Sequence, residues 1–273
     1  MNTSISSPTD FTPVYGPVSS WRYGRSLGID PIGAVSTCSF NCVYCQLGEI
    51  ERKTRDRAIY VPTDRILAAL EDFAPWSDVD VVTLSGSGEP TLAANLREIL
   101  TAIKTLTGRP SLVLTNGSLL NHGGVRSDLA IADRVSVKWD GIDADLLRRI
   151  DRPVPGIHWA DLLAGIQAFR DEYSGELGLQ TMILSPWDES TRAEYIRQVR
   201  AIAPAEIQLN TPTRPKPVRR QLDGRENHSS AAERPYEVRS LRCVDPQILR
   251  DFAQEIGQAT GIPVRTAPVP TEI

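Results

Sequence analysis

The sequence predicts an α/β fold, a partial (β/α)6 barrel of parallel strands that stays open on one side. Stretches with strand character alternate with stretches of helical periodicity, which is the pattern of parallel strands covered by helices. The six strand–helix units are too few to close an eight-stranded barrel. Cysteines, glycines and polar residues directly follow the predicted strands, at the end where such barrels carry their chemistry.

The first two units lie in the N-terminal part of the chain. An apolar run over 27–32 predicts the first strand. Pro31 leaves the C-terminal end of this strand poorly defined, because proline is unusual inside a central strand. Apolar residues at helical spacing predict a helix over 63–73. The segment 79–84 is rich in β-branched residues and predicts a buried strand, and helical spacing returns over 91–105.

The third and fourth units follow the same alternation. A short apolar strand is predicted over 111–115, where it ends in an Asn-Gly turn signal. A short helix over 127–132 leads to a strand over 134–139. The helix predicted over 159–169 has apolar residues every three or four positions, so one of its faces should be buried.

The last two units complete the barrel. Strands are predicted over 177–184 and 205–210, with a helix over 191–202 between them. Asp245 followed by proline is the N-terminal signature of a helix, which apolar spacing extends to residue 256.

The pattern divides the chain into three parts. We expect a flexible N-terminal tail over 1–14, the barrel over 15–210 and a C-terminal extension over 211–273 that packs on the barrel. The extension begins with a Pro- and Arg-rich loop over 211–235 that has no clear periodicity. Its final residues, 262–273, contain prolines and predict no regular element.

Composition and charge narrow the class of protein. A net charge of −4 and a pI of about 5.5 give no global basic field that would attract nucleic acid. The sequence holds no apolar run long enough to span a membrane, and its first residues lack the pattern of a signal peptide. We therefore expect a cytoplasmic protein, where clustered cysteines indicate metal or redox chemistry rather than disulfides.

Three of the four cysteines lie within eight residues, in the spacing C-x3-C-x2-C. Cys38, Cys42 and Cys45 could give three thiolates to a four-iron cluster, leaving its fourth iron free to bind a small molecule. A structural zinc site would need a fourth Cys or His, and the three histidines are distant along the chain. Three buried thiols without a metal are the plainest alternative.

The triplet, with an aromatic residue before its last cysteine, resembles the radical S-adenosylmethionine (SAM) superfamily. The flanking segments resemble, more specifically, a group of iron–sulfur oxidoreductases related to 4-demethylwyosine synthases. These segments are YGPV at 15–18, RSLG at 25–28, CQLG at 45–48, GSGEPTL at 86–92 and LNTP at 209–212. Wyosine synthases carry further cysteines ahead of the triplet, and this chain has none before Cys38.

The resemblance implies a barrel of radical SAM type, with a [4Fe–4S] cluster and SAM as cofactors. Reductive cleavage of SAM would give a 5′-deoxyadenosyl radical, which abstracts hydrogen from a substrate that the sequence does not identify. A reducing partner such as flavodoxin or ferredoxin would supply the electron. The substrate would be a small molecule, a peptide or tRNA, and no membrane is involved.

The resemblance also implies cofactor-binding roles by position. The turn after the second strand would meet the methionine ammonium group of SAM, through Gly86, Ser87, Gly88 and Glu89. Its plainer interpretation is an ordinary strand-to-helix turn, because Gly and Pro punctuate turns.

Three further positions follow from the same likeness. Thr115 and Asn116 end the third strand as in the family's Thr-Asn-Gly-like segment, although Asn-Gly is also a common turn. Lys138 ends the fourth strand and could pair with the SAM carboxylate or with an acidic substrate. It could equally be a surface lysine. Tyr44 is expected beside the adenine.

Cys243 stands alone, and two interpretations compete for it. A lone cysteine is most often a buried apolar side chain. As in radical epimerases, it could instead donate a hydrogen atom to a substrate radical, which would make Cys243 catalytic.

The basic residues of the loop after residue 211 support another function class. Arg214, Lys216, Arg219, Arg220 and Arg225 could contact phosphates, as in a tRNA-modifying enzyme related to wyosine synthases. The plain alternative is a solvated loop. A third class is an iron–sulfur protein without catalysis.

Overall fold

A curved sheet covered by helices is the frame of the molecule in the computed structural model, which describes residues 11–225 and 236–268. In chain order, the strands are β1 (Val14–Ser20), β2 (Gly24–Ile29), β3 (Thr37–Cys38), β4 (Arg52–Lys53), β5 (Val81–Leu84), β6 (Ser111–Thr115), β7 (Arg134–Lys138), β8 (Glu176–Met182), β9 (Glu206–Asn210), β10 (Lys216–Pro217), β11 (Val238–Arg239) and β12 (Val264–Thr266). The helices are α1 (Thr63–Asp72), α2 (Leu96–Thr107), α3 (Gly123–Leu129), α4 (Ala144–Ile150), α5 (Trp159–Glu172), α6 (Glu189–Ile202) and α7 (Pro246–Thr260).

The main sheet has the topology that the sequence predicts. Among the described residues, eight strands join in the order β1-β2-β5-β6-β7-β8-β9-β12. The first pair is antiparallel, and every later pair is parallel. Strands β2 and β5 to β9 are the six predicted strands, so the partial barrel of parallel strands is confirmed.

The two edge strands were not predicted. β1 contains Gly16 and Pro17, which hide the strand pattern and coincide with an irregular register against β2. β12 is only three residues long and follows a proline, yet it pairs in parallel with β9. The C-terminal extension therefore contributes a strand to the barrel sheet itself.

The predicted bounds of several elements shift by a few residues. The first strand ends at Ile29, because Asp30 turns the chain by accepting the backbone N–H groups of Ile32 and Gly33. A one-turn 3-10 helix occupies the start of the second predicted helix, so α2 begins at Leu96. The short helix α3 begins at Gly123, and α4 was not predicted.

The apolar core lies between the sheet and its helices. In α2 the residues at positions 96, 99, 100 and 103 are fully buried, which is one face of a helix. The helix ends at Gly108, whose φ of 60° is left-handed backbone suited to glycine. Phe11 and Val14, inside the predicted tail, are also buried, whereas residues 1–10 of that tail lie outside the described residues.

The turn after β1 bridges the open side of the barrel at the N-terminal end of β2. The side-chain amide of Gln208 in β9 donates to the Tyr23 hydroxyl at 2.8 Å. The Arg265 guanidinium in β12 donates to the backbone carbonyl of Arg22 at 3.0 Å. The two edges of the sheet therefore meet through side chains at its base. In the part of the chain that the structure describes, no helix combines the length and apolarity needed to cross a bilayer.

Candidate active site

The carboxyl ends of the barrel strands surround a cavity of about 350 Å³. The sequence-predicted residues that line it are Cys38, Cys42, Tyr44, Cys45, Gly86, Gly88, Glu89, Thr115, Asn116 and Lys138. They come from four separate stretches of the chain, which the parallel topology brings to one rim. Ser87 is fully buried and does not belong to this lining.

Backbone hydrogen bonds hold the cysteine loop, residues 38–45, across this rim. The N–H groups of Asn41 and Val43 donate at 2.9 Å to the carbonyls of Asp151 and Ile150, at the C-terminal end of α4. The N–H of Cys45 donates to the carbonyl of Cys42 at 3.2 Å. The first two bonds satisfy carbonyl groups at the C-terminal end of α4. The third holds Cys42 and Cys45 close to each other.

The turn at 86–89 anchors the start of the cysteine loop. The Thr37 N–H donates to the Ser87 carbonyl at 2.9 Å, and the Glu89 N–H donates back to the Thr37 carbonyl at 3.1 Å. A Cβ on Gly88 would lie 1.7 Å from that carbonyl oxygen, so only glycine permits this approach. Gly86 has a φ of 128°, which again requires glycine.

Gly88→Ala tests this anchor. The added methyl should push β3 and the cysteine loop away, with a loss of about 1–3 kcal/mol in the free energy of unfolding. We expect less iron per chain after anaerobic reconstitution as well. Gly124→Ala in α3 is the control, because nothing lies within 4 Å of its Cβ position. Wild-type stability and iron content in Gly88→Ala would contradict the anchoring role.

Glu89 is a buried carboxylate held by several donors. One carboxylate oxygen accepts from the Thr91 N–H at 3.1 Å, the Thr91 hydroxyl at 2.7 Å and the Thr115 hydroxyl at 2.6 Å. The other accepts from the Asn116 N–H at 2.7 Å. Burial raises the pKa of Glu89, while these hydrogen bonds favour its charged form. A cation in the cavity would stabilise that charge.

Asn116 connects the third barrel strand to the cysteine loop. Its side-chain amide donates to the Cys38 sulfur at 3.6 Å and to the Ser39 hydroxyl at 2.9 Å. The Ser39 hydroxyl in turn bonds to the Ser118 hydroxyl at 2.6 Å. Hydrogen bonds to cysteine sulfurs tune the electronics of iron–sulfur clusters.

Lys138 is a buried cation with two carboxylate partners. Its ammonium lies 2.7 Å from the Asp140 carboxylate and 3.1 Å from that of Asp151. The Tyr44 hydroxyl accepts from Lys138 and donates to Asp140. Burial lowers the pKa of Lys138, but the two carboxylates outweigh it, so the pKa is well above its ordinary value. A SAM carboxylate would have to compete with both aspartates for this ammonium.

The three thiols fit an iron–sulfur cluster by their chemistry. Burial raises the pKa of Cys38, Cys42 and Cys45, so the thiols stay protonated unless a positive charge is bound. A metal centre supplies that charge, and cysteine thiolates are the protein ligands of such clusters. Within residues 11–225 and 236–268, no three Cys, His, Asp or Glu side chains converge as a single metal ion would require.

A segment that we call the strap, residues 211–225, crosses the cysteine loop. The Arg214 guanidinium donates to the Gln46 side chain at 2.9 Å, and the Lys216 ammonium donates to the Cys42 carbonyl at 3.4 Å. The Gln221 N–H donates to the Leu47 carbonyl at 3.0 Å. The strap thus covers the loop that carries the thiols.

The basic side chains of the strap mostly face the protein. Besides Arg214 and Lys216, Arg220 pairs with Glu51 at 3.1 Å and Arg225 with Asp30 at 3.0 Å. Arg219 is exposed. Neither expectation for this loop fits, because four of its five basic side chains, all but Arg219, contact other parts of the protein. Residues 226–235 of the predicted loop lie outside the described residues.

Cys243 does not join the candidate site. Its side chain is exposed, contrary to the expectation of burial, and its thiol donates to the Pro212 carbonyl at 3.5 Å. It does not line the cavity at the carboxyl ends of the strands. Its position gives no support to the predicted role as hydrogen donor.

Sequence analysis assigned no role to three buried aspartates around the site. Asp30 directly follows β2 and Asp140 lies two residues after β7, and a charge at the end of a buried strand is a signal for a buried partner. Asp151 ends α4 and gives no local signal. Burial raises its pKa to about 7, against the nearby Lys138.

Comparison with known proteins adds the following likenesses. The family profile described as the Radical SAM superfamily matches residues 34–199. A UPF0026 protein of Synechocystis sp. is 59% identical over 261 residues, which is 96% of this chain and 98% of that protein. A UPF0026 protein of Methanocaldococcus jannaschii is 36% identical over 209 residues, covering 75% of this chain and 64% of that one.

A solved structure shares the fold. Streptococcus suis SuiB bound to S-adenosylmethionine superposes with a TM-score of 0.58 at 15% identity, over 86% of this chain and 49% of that chain. At this identity the likeness concerns the fold alone, and the chain spans about half of that protein's length.

Proposed function

The chain belongs to the radical SAM superfamily and is a radical SAM enzyme, and on that premise we propose that Cys38, Cys42 and Cys45 hold a [4Fe–4S] cluster that SAM joins. When bound, the cluster and SAM would supply radical chemistry: one-electron reductive cleavage of SAM and removal of a hydrogen atom from the substrate, with methionine and 5′-deoxyadenosine as products. The residues of the cavity hold, orient and shield these groups.

The observation that carries this proposal is the juxtaposition of thiols and a buried carboxylate. All three cysteines of the C-x3-C-x2-C triplet line the cavity that Glu89 also lines. Glu89 would stabilise the positive charge of SAM. Thr115 and Asn116 would keep the Glu89 carboxylate in place, because both donate hydrogen bonds to it. Gly86 and Gly88 let the turn pack directly against Asp30 and Thr37, which sets its position at the cavity rim.

Tyr44 and Lys138 would have a structural role in addition to the cofactor contacts expected of them. Their mutual hydrogen bond, together with Asp140 and Asp151, forms a buried network beside the thiols. This network would orient the cysteine loop and wall the cavity on the adenine side. The favourable charge of Lys138 next to the thiols would also help to keep them deprotonated when the cluster is bound.

The finer assignments rest on sequence alone. We propose kinship with the iron–sulfur oxidoreductase group related to 4-demethylwyosine synthases, a cytoplasmic location, and an electron donor such as flavodoxin or ferredoxin. A small molecule is favoured over tRNA as substrate, because the basic side chains of the strap are engaged with the protein itself.

Anaerobic reconstitution with iron and sulfide tests the proposal. Reduction with dithionite in the presence of SAM should give 5′-deoxyadenosine and methionine in equal amounts, measured by mass spectrometry. Addition of SAM should change the electron paramagnetic resonance signal of the reduced cluster. A reconstituted protein that binds the cluster but forms no 5′-deoxyadenosine would favour a non-catalytic iron–sulfur protein instead.

A further inference from the structure

The inner face of the barrel below the cysteine loop is polar along three neighbouring strands. Ser136 in β7, Gln180 in β8 and Gln208 in β9 line the same cavity as the thiols. Barrels of parallel strands usually fill this position with branched apolar side chains. The neighbours of these polar residues along each strand point to the opposite face of the sheet. Val135 and Val137, on either side of Ser136, are apolar and fully buried.

Several polar atoms of this inner face have no hydrogen-bond partner. Among the described residues, they include Ser136 Oγ, Gln180 Nε2 and Gln208 Oε1. Ser136 is 2% exposed and Gln208 is 1% exposed, so water does not solvate them from outside. The Gln208 amide nitrogen is already used by Tyr23, which leaves its oxygen for a ligand. Buried polar groups without partners are rare and costly, so a ligand is the natural partner.

Arg22 adds a positive charge at the base of the same cavity. It lies in the turn between β1 and β2, and its Nε is buried without a hydrogen-bond partner. The nearby carboxylate of Glu206 is paired with Arg265 at 3.0 Å, and no ion pair among the described residues involves Arg22. Arg22 therefore has no direct ion-pair partner among the described residues, although Glu206 acts on it from farther away, and burial lowers its pKa.

The turn that carries Arg22 is held firmly in place. The backbone carbonyl of Arg22 accepts from Arg265, and the Tyr23 hydroxyl accepts from Gln208. The guanidinium also lies 5.9 Å from the ring centre of Trp21 and 5.8 Å from that of Tyr23. Residues of β9 and β12 thus fix the turn that carries Arg22 beside the cavity.

We propose that Arg22, Ser136, Gln180 and Gln208 form the substrate subsite and bind the carboxylate of a small organic acid. This inference rests on the proposed function and names the substrate class for it. A planar carboxylate matches one guanidinium in charge and in geometry, whereas a phosphate dianion would keep an excess charge with a single arginine. The free amide and hydroxyl groups supply the remaining hydrogen bonds.

The subsite lies within reach of the radical chemistry. Ser136 precedes Lys138 by two residues in β7, which is about 7 Å along a strand. Gln180 is the register partner of Lys138 in the parallel sheet. An acid anchored at the base would therefore extend its carbon chain toward the rim where the thiols lie.

Ligand-observed NMR titration of the reconstituted, anaerobic protein tests the subsite without SAM or reductant. The probes are lactate and glycerate, the matched neutral lactamide, and inorganic phosphate. We expect the carboxylates to bind at least roughly tenfold more tightly than lactamide, because a hydrogen bond to a charged group is stronger. Arg22→Gln should abolish this preference, and Ser136→Ala, a milder change, should weaken carboxylate binding several-fold.

Arg25→Gln is the matched control, because Arg25 lies in the same hairpin but forms an exposed pair with Asp78 outside the cavity. It should bind the probes as the wild type does. Absence of carboxylate binding, unchanged binding in both Arg22→Gln and Ser136→Ala, or tighter binding of phosphate than of either carboxylate would overturn the proposal. Since the titration needs no SAM cleavage, its failure concerns the subsite alone, and missing 5′-deoxyadenosine concerns the proposed function alone.

Discussion

Replacement of any one of Cys38, Cys42 and Cys45 by alanine is expected to reduce 5′-deoxyadenosine formation to background. Three thiols line the cavity, and a cluster held by only two protein ligands loses its attachment. Iron per chain and the visible absorption of the cluster should fall together with activity. Loss of the cluster is the physical cause, so the three variants should behave alike.

Cys243→Ala provides the control for these variants. Its side chain is exposed and lies outside the cavity lining, so iron content and 5′-deoxyadenosine formation should stay at wild-type values. Full iron content in any of the three triplet variants would contradict the ligand assignment. A loss of product, but not of 5′-deoxyadenosine, in Cys243→Ala would instead revive the hydrogen-donor role.

Arg225→Met is expected to lower the free energy of unfolding by about 3–5 kcal/mol, because it leaves a buried carboxylate without its cation. The side chains of Arg225 and Asp30 are 6% and 0% exposed, and their atoms lie 3.0 Å apart. Arg225 also donates to the Thr12 carbonyl and lies 4.9 Å from the centre of the Tyr15 ring. Urea unfolding followed by tryptophan fluorescence measures the effect.

Two further variants show whether the loss of stability in Arg225→Met comes from the buried ion pair or from the removal of any positive charge. Arg148→Met removes an exposed pair with Asp145, whose side chains are 75% and 56% exposed, and should cost less than about 1 kcal/mol. The double variant Asp30→Asn with Arg225→Met should be more stable than the sum of the two single losses predicts. A change below about 1 kcal/mol in Arg225→Met would show that the pair does not hold the strap.

The sequence could predict the six barrel strands because each has its own local pattern. Strands such as 111–115 and 134–138 alternate along the chain with helices, whose apolar residues recur at helical spacing. This alternation predicts a parallel sheet. β1 and β12 escaped prediction since glycine, proline or shortness masks their pattern. They gain their strand conformation from pairing with β2 and β9, which is a tertiary effect.

The candidate site divides in the same way. The cysteine triplet could be recognised because its ligands are neighbours in sequence. The partners of Lys138 could not, since Asp151 reaches it from the end of a helix that was not predicted. The pairing of Arg225 with Asp30 joins residues 195 positions apart, and no local pattern encodes such a distance.

The polar inner face of the barrel is encoded in the alternation of polar and apolar residues along β8 and β9. Buried strands of parallel sheets read as continuous apolar runs, because both faces are covered. In β8 and β9, glutamine alternates with leucine and isoleucine, at Gln180 and Gln208. That alternation predicts a strand with one polar face, and hence a barrel interior that is not filled by apolar side chains.

The strap over the cysteine loop limits the access of iron and sulfide to the three thiols. Iron and sulfide can reach the thiols through the cavity or when the strap lifts away, and lifting requires only local opening rather than unfolding of the barrel. Contacts such as that of Lys216 with the Cys42 carbonyl oppose this opening, so they would slow both the uptake and the loss of the proposed cluster. The same residues that tie a distant part of the chain to the loop would thereby lengthen the lifetime of a bound cluster.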